Sequence, residues 1–232
     1  MEQEQVCASR PVTSLLHSSV RSTTPTDPRG VSQPDSVIFV VDDDASMREA
    51  LAGLIAASDL RVECFASAHE FLRRAAPNTP ACLVLDVRMP EIGGFELQHE
   101  LAVEGRDLPV IFITGHADIP MAVRAMKAGA IEFLPKPVKG EDLLAAIGQA
   151  LERDRRARAQ RAELALLRER CDRLTDREFQ VMARIARGKL NKQVAAEFGL
   201  SENTIKAHRR HVMEKMGAKT FAELIAMIER LL

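Results

Sequence analysis

The four cysteines, Cys7, Cys64, Cys82 and Cys171, lie far apart, and no CxxC pair occurs. That spacing argues against a cysteine-based zinc site and against a disulfide scaffold. It fits a chain kept in a reducing compartment. Also missing is any apolar run near the roughly 20 residues needed to cross a bilayer, so no membrane span is expected. The N-terminus lacks a basic start followed by an apolar core of about 7 to 15 residues, the pattern of a secretory signal. A cytoplasmic protein with no membrane partner is expected.

What is present is an ordinary globular balance of 46% hydrophobic and 28% charged residues over a length of 232. At about 150 residues per domain this makes one or two domains. The net charge of −1 hides an asymmetry. Residues 35–150 carry 10 basic against 18 acidic side chains, and residues 151–232 carry 19 against 12. An acidic half joined to a basic half suggests a regulatory or catalytic module attached to one that binds a polyanion.

Residues 1–34 hold 14 Ser, Thr or Pro and show no sustained periodicity. Such a segment buries too little apolar surface to offset its ordering entropy, so a disordered leader is expected. From Val37 strands and helices alternate. Strands are expected at Val37–Val41, Arg61–Phe65, Ala81–Leu85, Pro109–Ile113 and Ile131–Leu134. Helices are expected near 45–57, after the capping box Ser67-x-x-Glu70, at Gly94–Val103, near 119–128 and at 141–150. This alternation predicts an α/β fold, a doubly wound five-stranded parallel sheet. Residues 151–173, rich in Arg, Glu, Ala and Leu without Pro or Gly, read as a charged helical linker. Beyond them the chain is all helical, near 176–187, 191–198, 201–216 and 220–231, with capping boxes at Thr175-x-x-Glu178 and Thr220-x-x-Glu223. By size and spacing this is a helix-turn-helix domain.

Ligands of a doubly wound sheet bind at the carboxyl ends of its strands. The first strand ends in Asp42-Asp43-Asp44, the third in Asp86 and the fourth in Thr114, and Lys136 follows the fifth. Converging carboxylates repel one another unless a cation sits among them, and hard oxygen ligands with room for water suit Mg2+. An Asp beside Mg2+ and a Lys is set up to attack a phosphoryl group. Each of these residues taken alone reads as a loop or cap residue. Four matched strand ends change that reading.

The segments Val-Val-Asp-Asp-Asp at 40–44, Leu-Asp-Val-Arg-Met-Pro at 85–90, Ile-Thr-Gly-His at 113–116 and Phe-Leu-Pro-Lys-Pro at 133–137 resemble the receiver domain of two-component response regulators. The resemblance covers about 36–150 and implies a flavodoxin-like fold. It makes Asp86 the phosphoacceptor, with Mg2+ held by Asp42, Asp43, Asp86 and the backbone carbonyl of Arg88. It also makes Lys136 a phosphoryl contact, Thr114 the switch hydroxyl and Phe133 the aromatic that swings inward. The Lys136-Pro137 bond is expected to be cis. Asp44 aligns with a third acidic position, and Arg88 and His116 flank the site.

In the basic half, the helix at 201–216 carries Lys206, Arg209, Arg210 and Lys215, which composition alone leaves as either a solvated face or a DNA-binding one. Leu174-Thr-Asp-Arg-Glu178, Gly188–Ala195, Leu200–His208 and Val212–Met216 resemble the LuxR-type helix-turn-helix. With the receiver in front, 36–232 is identified as a response regulator of the NarL/FixJ class, with FixJ-like receiver stretches. The resemblance places Asn203, Lys206, Ala207 and Arg210 toward bases, and Thr204, His208 and Arg209 nearer the backbone. His208 and His211 are discounted as metal ligands. Val181, Ile185, Val194, Ile205, Val212, Leu224 and Ile228 are core by spacing.

The implied function is a phosphorylation-activated transcription factor, not an enzyme, although it accepts phosphate on Asp86 and can lose it again. Its partners would be a sensor histidine kinase, double-stranded DNA, a second copy after phosphorylation, and RNA polymerase. FixJ-like members are linked to nitrogen fixation, nodulation, respiration and aromatic catabolism. A phosphotransferase of the haloacid-dehalogenase type would need a second Asp two residues after the nucleophile, where this chain has Arg88. A receiver that takes no phosphate and only dimerises conflicts with the complete acidic set.

Overall fold

The computed structural model describes residues 36–116 and 118–231. The leader expected over 1–34 lies outside the described residues.

The β-branched run Val37–Val41 forms β1 and is buried along its whole length. Around it lie β2 (Arg61–Phe65), β3 (Ala81–Asp86), β4 (Val110–Thr114) and β5 (Glu132–Pro135), all parallel, in the order β2-β1-β3-β4-β5. The order reverses between β1 and β3, which is where a doubly wound sheet opens a crevice at its carboxyl edge. Between the strands run α1 (Ala45–Ala56), α2 (Ala68–Leu72), α3 (Gly94–Val103) and α4 (Ile119–Lys127).

Side chains alternate across a strand, so each strand feeds two cores. Phe39, Leu83, Leu85 and Phe112 pack with Phe71, Leu97, Leu101 and Ala125 on the face of α2, α3 and α4. Ile38, Val40, Cys82, Val84, Ile111 and Ile113 pack with Leu51, Ile55, Leu143 and Ile147 on the other face. Burial drives the Cys82 thiol pKa far up, and the Asp154 charge adds to it.

The fourth strand is set one residue later than expected. Pro109 has no N–H for the ladder, and its carbonyl accepts instead from Leu83 N–H at 2.9 Å. Two capping boxes are shifted. Ser67 and Thr220 cap their helices as expected, but Glu70 accepts from the N–H of Ala66 and Glu223 from that of Lys219, one residue ahead of each cap. At Thr175 the box closes fully with Glu178.

No break occurs at residue 150. Helix α5 runs from Gly140 to Asp172, 33 residues, taking in both the expected last receiver helix and the charged stretch. Four short helices follow: α6 (Asp176–Ala186), α7 (Asn191–Phe198), α8 (Glu202–Met216) and α9 (Phe221–Glu229). They enclose a separate core of Val181, Ile185, Val194, Ile205, Val212, Met216 and Leu224, with Ile228 at its edge. Gly199 and Gly217 end α7 and α8 in the left-handed conformation.

Candidate functional site

Asp42 and Asp43 follow β1, Asp86 is the last residue of β3, and Lys136 follows β5. One carboxylate oxygen from each of Asp42, Asp43 and Asp86 lies within 4.8 Å of the other two. Asp42 is fully buried, Asp86 nearly so, and Asp43 is exposed. Lys136 reaches across from β5, its Nζ donating to Asp42 Oδ2 at 2.7 Å and to Asp86 Oδ2 at 3.0 Å. The Lys136-Pro137 peptide bond is cis.

Burial pushes the Asp86 carboxyl pKa up, against the lowering pull of Lys136. Burial also disfavours the Lys136 charge, but hydrogen bonds to Asp42 and Asp86 outweigh it, and the ammonium pKa is raised. A single ammonium therefore answers two buried carboxylates, with the exposed Asp43 beside them. The oxygen donors are hard and clustered, and part of the cluster meets solvent. That chemistry fits a small divalent cation that keeps some of its water.

The flanking residues fall as follows. Thr114 is buried at the end of β4; its Oγ1 accepts from His116 N–H at 3.3 Å, and its carbonyl accepts from Lys136 N–H at 2.8 Å. Phe133 is half-buried against the α2–α4 core. Arg88 is exposed, and its N–H donates to Asp86 Oδ1 at 3.3 Å. The His116 side chain is exposed. Asp44 stands apart from the three-carboxylate group, because its Oδ1 caps α1 by accepting from Ser46 and Met47 N–H.

In the helical domain Ser201 caps α8, and its hydroxyl also hydrogen-bonds Thr204 Oγ1 at 2.8 Å. Asn203, Lys206, Ala207 and Arg210 are exposed, whereas Thr204, His208 and Arg209 are half-buried. Arg209 is tied to two other helices. It donates to Asn191 Oδ1 at 3.3 Å and stacks over the Phe221 ring at 4.4 Å.

Comparisons with known proteins agree with this two-part layout. Residues 38–148 match the family described as response regulator receiver domain, and 172–228 match bacterial regulatory proteins of the luxR family. Nodulation protein W of Bradyrhizobium diazoefficiens is 49% identical over 196 residues, 84% of this chain and 86% of that protein. Response regulator protein TodT of Pseudomonas putida is 44% identical over 203 residues, 88% and 89% of the two chains. Transcriptional regulatory protein FixJ of Azorhizobium caulinodans is 40% identical over 195 residues, covering 84% of this chain and 92% of that one.

The chain belongs to the NarL/FixJ class of two-component response regulators.

The structure of response regulator StyR superposes on this regulator with a TM-score of 0.76 at 45% identity, over 84% of this chain and 98% of that one. The receiver domain implies a histidine kinase as partner, and the LuxR-family domain implies DNA binding and a role in transcription. No helix among the described residues is long and apolar enough to cross a membrane.

Three side chains that position the regulator's parts escaped the sequence reading. Arg48 donates from Nη1 to the carbonyls of Asp42 and Asp43 at 2.8 and 3.0 Å. Asp154 is buried on α5 and accepts from Ala81 N–H at 2.8 Å and from Arg158 Nε at 2.6 Å. Arg170 donates to the Met216 carbonyl at 3.0 Å, joining α5 to the end of α8. A signal existed for Asp154: with Ile147 and Leu151 it stands at i, i+4, i+7, a polar residue on an apolar helix stripe.

Proposed function

We propose that a sensor histidine kinase phosphorylates this regulator on Asp86 and that the acyl phosphate promotes dimerisation and sequence-specific DNA binding. The observation that carries the proposal is the meeting of Asp42, Asp43, Asp86 and Lys136 at the carboxyl ends of three strands. In the transfer, an Asp86 carboxylate oxygen bonds to phosphorus as the bond to the donor's imidazole nitrogen breaks. The imidazole takes up a proton. Lys136, already within hydrogen-bond reach of Asp86 Oδ2, would turn to the incoming phosphoryl oxygens and answer their charge. Asp42, Asp43, Asp86 and the Arg88 carbonyl would hold Mg2+, which when bound supplies positive charge against the phosphoryl oxygens. Arg88 and His116 flank the phosphoryl site, and their side chains would tune the lifetime of the acyl phosphate.

The response then uses Thr114 and Phe133. Thr114 would exchange its present bond from His116 N–H for one with a phosphoryl oxygen, and Phe133 would follow inward. The altered α4–β5 face would pair with that of a second copy. The regulator is read as a receiver over 36–150, a helical linker over 151–173 and a DNA-binding domain over 174–232, acting in the cytoplasm. Two α8 helices, one per copy, would enter the major groove at paired half-sites, with Asn203, Lys206, Ala207 and Arg210 toward bases and Thr204 and Arg209 toward phosphates. The exposure of the first four supports that division. Activation through RNA polymerase is the expected output.

The test is intact mass after incubation with acetyl phosphate and Mg2+, comparing wild type with Asp86→Asn. One Mg2+-dependent phosphoryl adduct, absent from the variant, is expected. An adduct that persists in Asp86→Asn would move the phosphoacceptor elsewhere.

A further inference from the structure

Asp42 and Asp43 are neighbours in the chain, yet each contributes a carboxylate oxygen to the same cluster with Asp86. Extended backbone sends successive side chains to opposite faces, so the chain must bend where β1 gives way to α1. Hydrogen bonds around the bend show what holds it. Asp42 N–H is still engaged with the sheet, donating to the Phe65 carbonyl at 3.3 Å. The next two carbonyls, of Asp42 and Asp43, both turn to one atom, Nη1 of Arg48, at 2.8 and 3.0 Å. Past them, Asp44 N–H donates to Asp42 Oδ1 at 2.9 Å.

The Asp43–Asp44 peptide therefore has its carbonyl on Arg48 and its N–H on the Asp42 carboxylate. In a planar trans peptide these two groups point in opposite directions. Arg48 thus holds one edge of that peptide and the Asp42 carboxylate the opposite edge. Held at both edges, the peptide has its orientation fixed between the guanidinium and the Asp42 carboxylate. Arg48 also sets a permanent positive charge on the backbone carbonyls of a loop of three acidic residues.

We propose that Arg48 is a positioning residue for the divalent cation at this cluster: it bends the loop after β1 so that Asp42 and Asp43 present oxygen to one ion. This rests on reading the cluster as a cation site. A residue that serves only to hold α1 to β1 would contribute to stability without affecting cation affinity, and this separates the two roles.

The experiment titrates MgCl2 into the full-length chain, wild type, Arg48→Met, Arg48→Lys and Glu49→Gln, following the backbone amide NMR shifts of Asp43, Asp86 and Lys136. Melting in Mg2+-free buffer is recorded in parallel. Loss of a residue that orients metal ligands typically costs about 10- to 100-fold in affinity. Arg48→Met is expected to weaken Mg2+ by about tenfold or more. Arg48→Lys is expected to weaken it less but still measurably, since an ammonium can reach the carbonyls but lacks the rigid planar guanidinium that fixes their direction. Glu49→Gln, altering an exposed neighbour on α1, is expected to bind as wild type does. A folded Arg48→Met with wild-type affinity overturns the proposal even if it melts lower. Should that variant not fold, unchanged affinity in Arg48→Lys overturns it equally. Wild type showing no Mg2+-dependent shift at these amides would remove the cation site itself, a different failure.

Discussion

The carboxylate of Asp154, 14 residues into α5, accepts a 2.8 Å hydrogen bond from the backbone N–H of Ala81, the first residue of β3. Its Oδ2 also takes Arg158 Nε at 2.6 Å, and Arg158 Nη2 reaches the Pro77 carbonyl at 3.1 Å. The long helix is thereby fastened to the amino end of the same strand whose last residue is Asp86. Toward the carboxyl end of α5, Glu163 pairs with Arg230 and Arg170 with the Met216 carbonyl. One uninterrupted helix is therefore tied to the sheet at its middle and to the helical domain at its end.

Asp154→Ala would leave Ala81 N–H without a partner in a dry site and release Arg158. An expected loss of about 2 kcal/mol in receiver stability follows. Far-UV circular dichroism during denaturant unfolding reads it, since the chain has no Trp or Tyr to report by fluorescence. An unchanged midpoint would show that this bond contributes no net stability.

Two glycines are expected to respond in opposite directions to the same change. A Cβ on Gly94 would press into the Asp86 carbonyl and stand 3.1 Å from both Phe112 Cε1 and Val87 Cα. The neighbours are backbone and a core ring, so Gly94→Ala should cost about 2 kcal/mol and disturb the loop after Asp86. Gly53 is exposed inside α1 with nothing within 4 Å of a new Cβ. Gly53→Ala should stabilise by about 0.5–1 kcal/mol. Unfolding midpoints of both variants check the pair.

Glu178 predicts acid sensitivity of the helical domain. Burial opposes its charge, but hydrogen bonds from Lys215 and Thr175 prevail and hold its carboxyl at about 2. A depressed carboxyl stabilises the fold above its unfolded pKa of about 4.3 and loses that contribution as pH falls toward the folded value. Wild type should therefore lose stability between about pH 4.3 and pH 2 to a degree that Glu178→Gln does not. Parallel slopes in that window would remove Glu178 as the cause.

Lys206 and Arg209 separate DNA contact from domain stability. Lys206 is exposed on α8, so Lys206→Ala should weaken binding to a selected DNA site by about tenfold, roughly 1.4 kcal/mol, with unchanged melting. Arg209 braces α7 and α9 through Asn191 and Phe221. Arg209→Ala should lower both melting temperature and affinity. Equal melting in the two variants would show that the Phe221 stack contributes nothing.

Much of this was readable in one dimension. Strand cores such as Val37–Val41 announced themselves because a strand covered on both faces must be apolar throughout. Asp86, Thr114 and Lys136 stood out because polar residues at matched strand ends fall at one edge of such a sheet. The capping boxes at Ser67 and Thr220 were half legible. A hydroxyl cap is a local matter, but where the Glu side chain reaches back depends on how the preceding loop lies. Arg48 carried no comparable signal, since the bend that needs it exists only once β1, β2 and α1 are packed.

The sequence alone determined the alternation of elements, the two-part division of charge and the residues at the strand ends, because hydrophobic period and capping chemistry act over a few residues at a time. Tertiary structure decided what touches what. It set Lys136 between Asp42 and Asp86 from 94 and 50 residues away. It turned Arg209 into a brace rather than a free cation, and it placed Asp154 on the end of β3, 73 residues earlier in the chain. Those pairings arise where the sheet order and helix packing bring distant side chains together, and no local pattern encodes that geometry.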